Sequence, residues 1–459
     1  MDQVYSNAVC TIVAAEGVDA HAGLVGIHRS PRYAPQHSES VKDLLLHSMG
    51  PTLEQSLHES TWWSRGWTYQ EFFLSRRLIF FTPSRVFFSR ASEHDSEDVV
   101  HEDRAAEHAF LSAGGPFQGS RSDISGDLRT RIPSRVFDLE EPVKTYKTLV
   151  RDYSVRNLSY DSDVLNGVQG ILRLLTLCTK RSYYVAGLPE HRLDTALLWF
   201  PVGPLTRRGP SKSGHPYPSW SWAGWKGGVA YEEHDFISVM TQEVTEWVLE
   251  TPEGQAIDLL VDQIPFSKLL NSKRPAAEAD HLQKQRKDLF TLYESGTLQF
   301  TTQKAEFAVD LSSAAIRGYW PAHRGTKVFP ILATNKGSPP PVAGSLLLSL
   351  QDAVALMNDS SLDRYRSGGQ LLATFILITS TQKPWGFTST GDDYLSIYDE
   401  GIYDFRGGSV WDLHVKRFGC NVLWVRQGVD GTYERVAVGQ IHVDAWEANQ
   451  QGNFSLRLA

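Results

Sequence analysis

Cysteine, basic charge and long apolar runs are all scarce in this sequence. Among 459 residues there are 3 cysteines, which are too few and too widely spaced for a disulfide framework or a zinc site. Lys and Arg number 45 against 53 Asp and Glu, so no basic face is expected to neutralise nucleic-acid phosphates. No apolar run approaches the ~20 residues of a membrane-spanning helix. These features predict a cytoplasmic protein with no nucleic-acid partner and no membrane-spanning segment.

Composition changes along the chain predict several domains, as the length also does. Residues 1–91 mix helical and strand patterns and are predicted to form an α/β domain. Residues 92–135 are charged and rich in Gly, Ser and Asp, which predicts a flexible linker. Helical stripes and a Trp-rich motif occupy residues 136–234, and strand patterns dominate residues 235–459. The whole chain is therefore predicted to be mixed α+β, with a β-rich C-terminal domain.

Within the first domain, residues 8–15 read as a buried strand and residues 38–46 as a helix. Two aromatic strands, residues 78–81 and 86–88, flank Thr-Pro-Ser-Arg at 82–85, which predicts a β-hairpin.

A second helix is predicted over residues 61–74. Trp63, Trp67 and Leu74 recur at helical spacing on one face of it, so we expect Trp67 to be largely buried. Glu71 follows Trp67 by four residues and is therefore expected one turn along the same helix.

Tryptophan is abundant, with 13 residues, and it is concentrated in Pro-Ser-Trp-Ser-Trp-Ala-Gly-Trp at 218–225. Trp220, Trp222 and Trp225 each bring a large apolar area that must be covered, so this segment is predicted to pack against the helices of residues 143–175. Strands in the C-terminal domain are predicted at residues 244–249, 257–261, 298–300, 307–309, 371–378, 422–425 and 437–443.

An ordered series of short motifs carries a family resemblance. Residues 65–71 read Arg-Gly-Trp-Thr-Tyr-Gln-Glu, and Leu-Ser at 74–75 and an aromatic strand follow. The accompanying motifs lie at residues 4–8, 23–24, 153–156, 163–171, 197–199 and 218–222. In this order, over residues 1–230, the chain resembles the heterokaryon-incompatibility (HET) family, a fungal family tied to nonself recognition and programmed cell death.

The resemblance also implies what the first domain contains. A complete HET domain begins with a Tyr-x-x-Leu-Ser-Tyr-x-Trp-Gly element and includes a Trp-x-Asp-x-x-Cys-Ile segment, and neither occurs here. Residues 1–91 are therefore expected to be a partial HET domain. Because HET domains are thought to be distant relatives of TIR domains, its expected fold is a TIR-like α/β remnant.

The same relationship implies a candidate site. Some TIR domains cleave NAD with a glutamate in a Trp-Cys-x-x-Glu helix, and Trp67 and Glu71 have that spacing. The resemblance thus makes Glu71 the candidate catalytic carboxylate, which would stabilise the positive charge that develops on ribose as nicotinamide leaves. Trp67 is the candidate cofactor-binding residue. The alternative is that Glu71 anchors its helix by pairing with Arg65 or Arg76, or by capping backbone amides.

Three hypotheses for function follow from these observations. The first is a signalling protein that acts through self-association or protein partners; the second is an NAD-consuming effector that uses Glu71; the third is a degenerate family member without activity. NAD enters only as a substrate, and no cofactor is expected. No metal site is expected either, because the spacings of His21, His28, His37 and His47 fit none. We expect the chain as given not to cleave NAD.

Overall fold

A computed structural model of the chain describes residues 2–17, 19, 21–28, 31–32, 37–48, 50–90, 93–97, 141–179, 183–231, 240–244, 246–261, 290–312, 326–334, 342–367, 369–381 and 419–459. The chain divides into two compact units. The first comprises Met1–Thr145, Arg156–Tyr160 and Asn166–Cys178, and the second comprises Tyr146–Val155, Asp161–Leu165 and Thr179–Ala459. Most of the predicted linker lies outside the described residues, although Glu93–Ser96 within it is a strand.

Short helices and a four-stranded sheet make up the first unit. Its elements are α1 (Asp2–Asn7), β1 (Thr11–Ala14), β2 (Ser38–Val41), β3 (Leu44–His47), α2 (Leu53–His58), α3 (Thr61–Ser64), α4 (Trp67–Leu74), β4 (Arg77–Phe81), β5 (Val86–Arg90), β6 (Glu93–Ser96), the start of α5 (Glu141–Ser154) and nearly all of α6 (Gln169–Thr179). The sheet order is β1-β4-β5-β6, with β1 parallel to β4 and the other pairs antiparallel. Its core includes Val13, Leu57, Trp62, Phe72, Leu78, Phe80 and Phe87.

The predicted hairpin is confirmed, because β4 and β5 pair with Phe81 opposite Val86. The helix predicted at residues 38–46 is wrong. Here β2 and β3 form an exposed hairpin in which Val41 faces Leu44, and Lys42 takes the left-handed conformation at φ 56°. The three leucines at 44–46 are consecutive, so they do not follow the spacing of a helix face.

The second unit contains a barrel that one long strand closes. Its elements after α5 are β7 (Tyr183–Val185), β8 (Leu188–Pro189), α7 (Leu193–Ala196), β9 (Phe200–Pro201), β10 (Thr206–Arg207), β11 (Trp225–Lys226), β12 (Val229–Ala230), β13 (Met240–Gln242), β14 (Trp247–Glu250), β15 (Ala256–Leu259), β16 (Thr291–Tyr293), β17 (Thr297–Val309), β18 (Thr326–Leu332), β19 (Val342–Ser349), α8 (Leu350–Asn358), β20 (Arg366–Ser367), β21 (Gln370–Thr381), β22 (Gly419–Gln427), β23 (Tyr433–His442), α9 (Val443–Asn449) and β24 (Gln450–Leu458). Among the described residues, no helix has the length and apolarity needed to cross a membrane.

The barrel follows the ring β17-β18-β19-β23-β22-β21 and back to β17, with every neighbour antiparallel. Alternate side chains of these strands point inward and fill the interior, as expected for a small closed barrel. Phe307 of β17 stacks there on Trp446 of α9, with the two ring centroids 6.3 Å apart. The inward set includes Phe307, Val309, Phe329, Ile331, Leu346, Leu348, Ala373, Phe375, Val422, Trp424 and Ile441. The predicted β-rich C-terminal region is thus confirmed.

The Trp-rich segment packs as predicted against α5. Trp220 and Trp222 are fully buried, whereas Trp225 is half-buried. The Trp222 indole donates a hydrogen bond to the Tyr146 hydroxyl at 3.0 Å and meets the Tyr153 ring edge-on at 6.1 Å. Because both tyrosines lie on α5, the segment covers one face of that helix.

Arg435 of β23 lies buried beneath the same segment, with 3% of its surface exposed. Its guanidinium stacks on the Trp199 ring, with Cζ 3.5 Å from the centroid, and donates to the Trp199 carbonyl. Its Nε and Nη1 have no hydrogen-bond partner among the described residues. Burial lowers the pKa of Arg435 to about 9, and the electrostatic effect of the nearby Tyr231 phenol raises it to a smaller extent. The guanidinium therefore keeps its charge at a desolvation cost.

We expect Arg435→Met to leave the free energy of unfolding unchanged or to raise it by about 1–4 kcal/mol at pH 7, because an apolar side chain of similar length removes that cost. The pKa of Arg435 is lower in the folded than in the unfolded state. The desolvation cost of its charge is therefore fully present below about pH 9 and declines as the pH rises further. The gain in unfolding free energy of Arg435→Met over wild type should therefore be smaller at pH 10 than at pH 7. Urea denaturation at both pH values measures this, with exposed Arg364→Met as the control. A loss above about 2 kcal/mol at pH 7 would contradict it.

Candidate functional site

The backbone of the predicted helix 61–74 breaks between α3 and α4. Arg65 is extended, at φ -86° and ψ 139°. The break lets the Gly66 amide donate to the Asn157 carbonyl at 2.8 Å, while the Asn157 amide donates to the Ser64 carbonyl at 2.7 Å. A Cβ on Gly66 would stand 2.5 Å from Leu158 Cδ2, so the close approach favours glycine. The chain thus leaves the helix to pair with residues 157–158.

Gln70 provides the second attachment and is buried, with 2% exposed. Its Nε2 donates to the Asn166 carbonyl at 2.7 Å, and its Oε1 accepts from the Gly170 amide at 3.0 Å. The side-chain amide therefore satisfies one acceptor and one donor of a backbone turn. This role of Gln70 was not predicted from the sequence, although both partners lie in the motif at residues 163–171.

Arg156 provides the third attachment. Its guanidinium carbon lies 4.2 Å from the Trp63 ring centroid and 4.4 Å from that of Tyr69, so two aromatic faces enclose the cation. It also donates to the backbone carbonyl of Trp63. Together with Gly66 and Gln70, it fastens α3 and α4 to residues 156–158 and 166–170, and we call these contacts the signature clamp.

Glu71, the candidate catalytic residue, lies on α4 with both carboxylate oxygens engaged. Oε1 accepts from the Tyr5 hydroxyl at 2.9 Å, and Oε2 accepts from the Trp62 indole at 3.1 Å. Burial, and then the adjacent Glu71 carboxylate, raise the pKa of Tyr5 well above its usual value. These contacts tie α4 to α1 and α3, which matches the anchoring alternative but through partners other than Arg65 or Arg76.

Trp67, the candidate cofactor-binding residue, begins α4, and the helix runs unbroken from it to Glu71. Trp67 is mostly covered, as expected, although its side chain is not fully buried. The buried tryptophan is Trp62, with 7% exposed. The break at Arg65 changes the helical register, so a face counted continuously through residues 61–74 does not exist. The structure brings Tyr5 and Trp62 to Glu71, and neither was predicted there.

Among the described residues, no group of three His, Cys, Asp or Glu side chains lies close enough together to hold a metal ion. Of His21, His28, His37 and His47, His37 has its Nε2 3.2 Å from Oε2 of Glu39, a residue of the exposed hairpin.

We expect Glu71→Gln to cost about 1 kcal/mol of unfolding free energy, because the Tyr5 hydroxyl can turn to accept from the new amide while the amide oxygen still accepts from Trp62. Glu71→Leu should cost about 1–3 kcal/mol, since it leaves a buried indole donor unpaired. Chemical denaturation of both variants measures the difference, with exposed Tyr160→Phe as the control. Equal stability of Glu71→Leu and wild type would exclude the anchoring role.

Comparison with known proteins bears on the same segment. Residues 1–71 match the sequence profile of the family described as Heterokaryon incompatibility protein (HET), which covers the Arg-Gly-Trp-Thr-Tyr-Gln-Glu element in full. Neither curated proteins nor solved structures give a match. The resemblance drawn from the motifs is confirmed over these residues. Residues 1–71 of the chain are thus similar to the heterokaryon incompatibility family.

Proposed function

We propose that this HET-family chain acts in fungal nonself recognition and programmed cell death signalling, in the cytoplasm, through self-association or a protein partner. The observation that carries the proposal is the edge of the first unit's sheet. Strand β1 pairs with β4 on one side, and no described strand lies on its other side. A strand edge of this kind offers unpaired backbone donors and acceptors to another chain.

The side chains along this edge support the same proposal. Residues 8–15 carry no charge, and no proline interrupts them. Val9 is 79% exposed and Ile12 is 60% exposed. Natural sheets protect free edges with charge, proline or a bulge, and the absence of charge and proline here favours pairing with a second copy. We therefore propose that self-association occurs through β1, and that residues 1–91 function as a partial, TIR-like HET domain.

The second hypothesis, NAD cleavage by Glu71, has less support from the geometry. The proposed reaction needs a carboxylate facing the ribose in a pocket that excludes water. Both Glu71 oxygens instead accept hydrogen bonds from Tyr5 and Trp62. We accordingly propose that Glu71 and Trp67 serve the fold, and that the chain as given releases no nicotinamide from NAD.

The test compares Ile12→Lys with Val429→Lys, which places the same charge on an exposed valine of the β22–β23 turn. We expect wild type and Val429→Lys to form concentration-dependent oligomers in analytical ultracentrifugation, and Ile12→Lys to shift at least about tenfold toward monomer, equivalent to ~1.4 kcal/mol. Expression in a fungal host should reduce viability for the two associating proteins and not for Ile12→Lys.

A monomeric wild type, or equal association of both lysine variants, would contradict the proposal. Association without any loss of viability would favour the degenerate alternative. Nicotinamide release from NAD, measured on the same samples, separates the enzyme hypothesis: turnover by wild type that disappears in Glu71→Gln would establish it.

A further inference from the structure

The second unit contains a cavity with charged residues in its wall that the proposed function does not use. Its volume is about 420 Å³, and charged residues from separate strands line it, among them Arg207, Glu250, Glu434 and Arg457. This volume falls within the range of small-molecule sites, near its lower end. The cavity therefore has room for a compact ligand.

Hydrogen bonds between chain segments fix the cavity wall. Arg207 Nη2 donates to the Tyr217 carbonyl at 2.7 Å, and its Nη1 donates to the Gly224 carbonyl at 3.3 Å. A Cβ on Gly224 would lie 2.5 Å from the Pro218 carbonyl oxygen and 2.6 Å from that Nη1, so the close approach of the backbone favours glycine at this position. On the opposite segment, Ser295 Oγ donates to the Pro216 carbonyl at 2.5 Å. The cationic group is thus held by backbone oxygens in a defined place.

The charges in the wall differ in how they are compensated. Arg457 and Glu250 neutralise each other through a 2.6 Å ion pair. Arg207 has no such partner, and within the described part of the chain it forms no ion pair. Part of the Arg207 side chain is exposed, and the loss of water around the rest lowers the pKa of Arg207, whereas the charge of Glu434 raises it. Arg207 and Glu434 therefore attract each other across the cavity without direct contact.

A ligand that completes this arrangement must carry both charges. A simple anion would satisfy Arg207 but would be repelled by Glu434, whose carboxylate forms one ion pair among the described residues, with half-exposed Arg426 at 3.3 Å. An ammonium ion alone would pair with Glu434 but would be repelled by Arg207. We propose that the cavity binds a small zwitterion of the free α-amino-acid type, with its carboxylate on Arg207 and its ammonium group on Glu434. The walls of proline, threonine and glycine leave room for a short side chain.

Thermal unfolding of the full chain tests this binding directly. Each common L-amino acid is added at about 10 mM, together with acetate and methylammonium as probes for the separate charges. A Kd of about 1 mM should raise Tm by about 2–4 °C for at least one amino acid, and acetate and methylammonium should produce no such shift. Arg207→Gln and Glu434→Gln should each abolish the shift.

The matched controls are Arg364→Gln and Glu306→Gln, which remove the same charges outside the cavity and should retain the shift. If Arg207→Gln fails to fold, Glu434→Gln alone decides the outcome. The proposal fails if no amino acid raises Tm, if acetate raises it equally, or if Glu434→Gln keeps the shift. Because the readout is binding in the second unit, its failure would leave the proposed association through β1 untouched.

Discussion

The buried amide of Gln70 is the interaction on which the arrangement of the first unit depends. With one hydrogen bond donated and one accepted, it satisfies the backbone of Asn166 and Gly170, which are nearly one hundred residues further along the chain. Replacing such a group without replacing its partners leaves buried polar atoms unsatisfied, which costs about 1–3 kcal/mol each. The helix that carries the family element is therefore completed by a distant segment.

The other contacts of the signature clamp also join residues that are distant in the sequence. The helix breaks at Arg65 because the Gly66 amide finds a partner in Asn157, and the Arg156 cation is enclosed by rings from both sides of the break. Each contact pairs a residue of the family element, or one beside it, with a residue that lies in the downstream motifs or, for Asn157, directly after one of them. In this chain the element that matches the HET profile makes these packing contacts, and both carboxylate oxygens of its Glu71 accept hydrogen bonds, from Tyr5 and Trp62.

Local patterns predicted the parts of the fold that local chemistry decides. The β4–β5 hairpin follows from two aromatic runs around a proline turn, and the buried Trp220 and Trp222 follow from their large apolar area. Distant partners decide the parts that were missed. Gly66, beside Arg65, is a poor helix former, but the partner that fixes the break, Asn157, is distant in the sequence. The two short strands expected near residues 298 and 309 are one strand, β17, which closes the barrel. The role of Gln70 was hidden for the same reason.

Amide hydrogen exchange in Gln70→Leu tests the signature clamp most directly. Leucine has a similar volume but can neither donate nor accept, so the Gly170 amide, which now donates to Gln70 Oε1 at 3.0 Å, should exchange at least about tenfold faster. The Leu172 amide, which donates to the Val168 carbonyl at 3.1 Å, should keep its rate and serves as the internal control. Faster exchange confined to residues 166–170 is the predicted result. An unchanged rate at Gly170 would contradict the claim that Gln70 holds this segment.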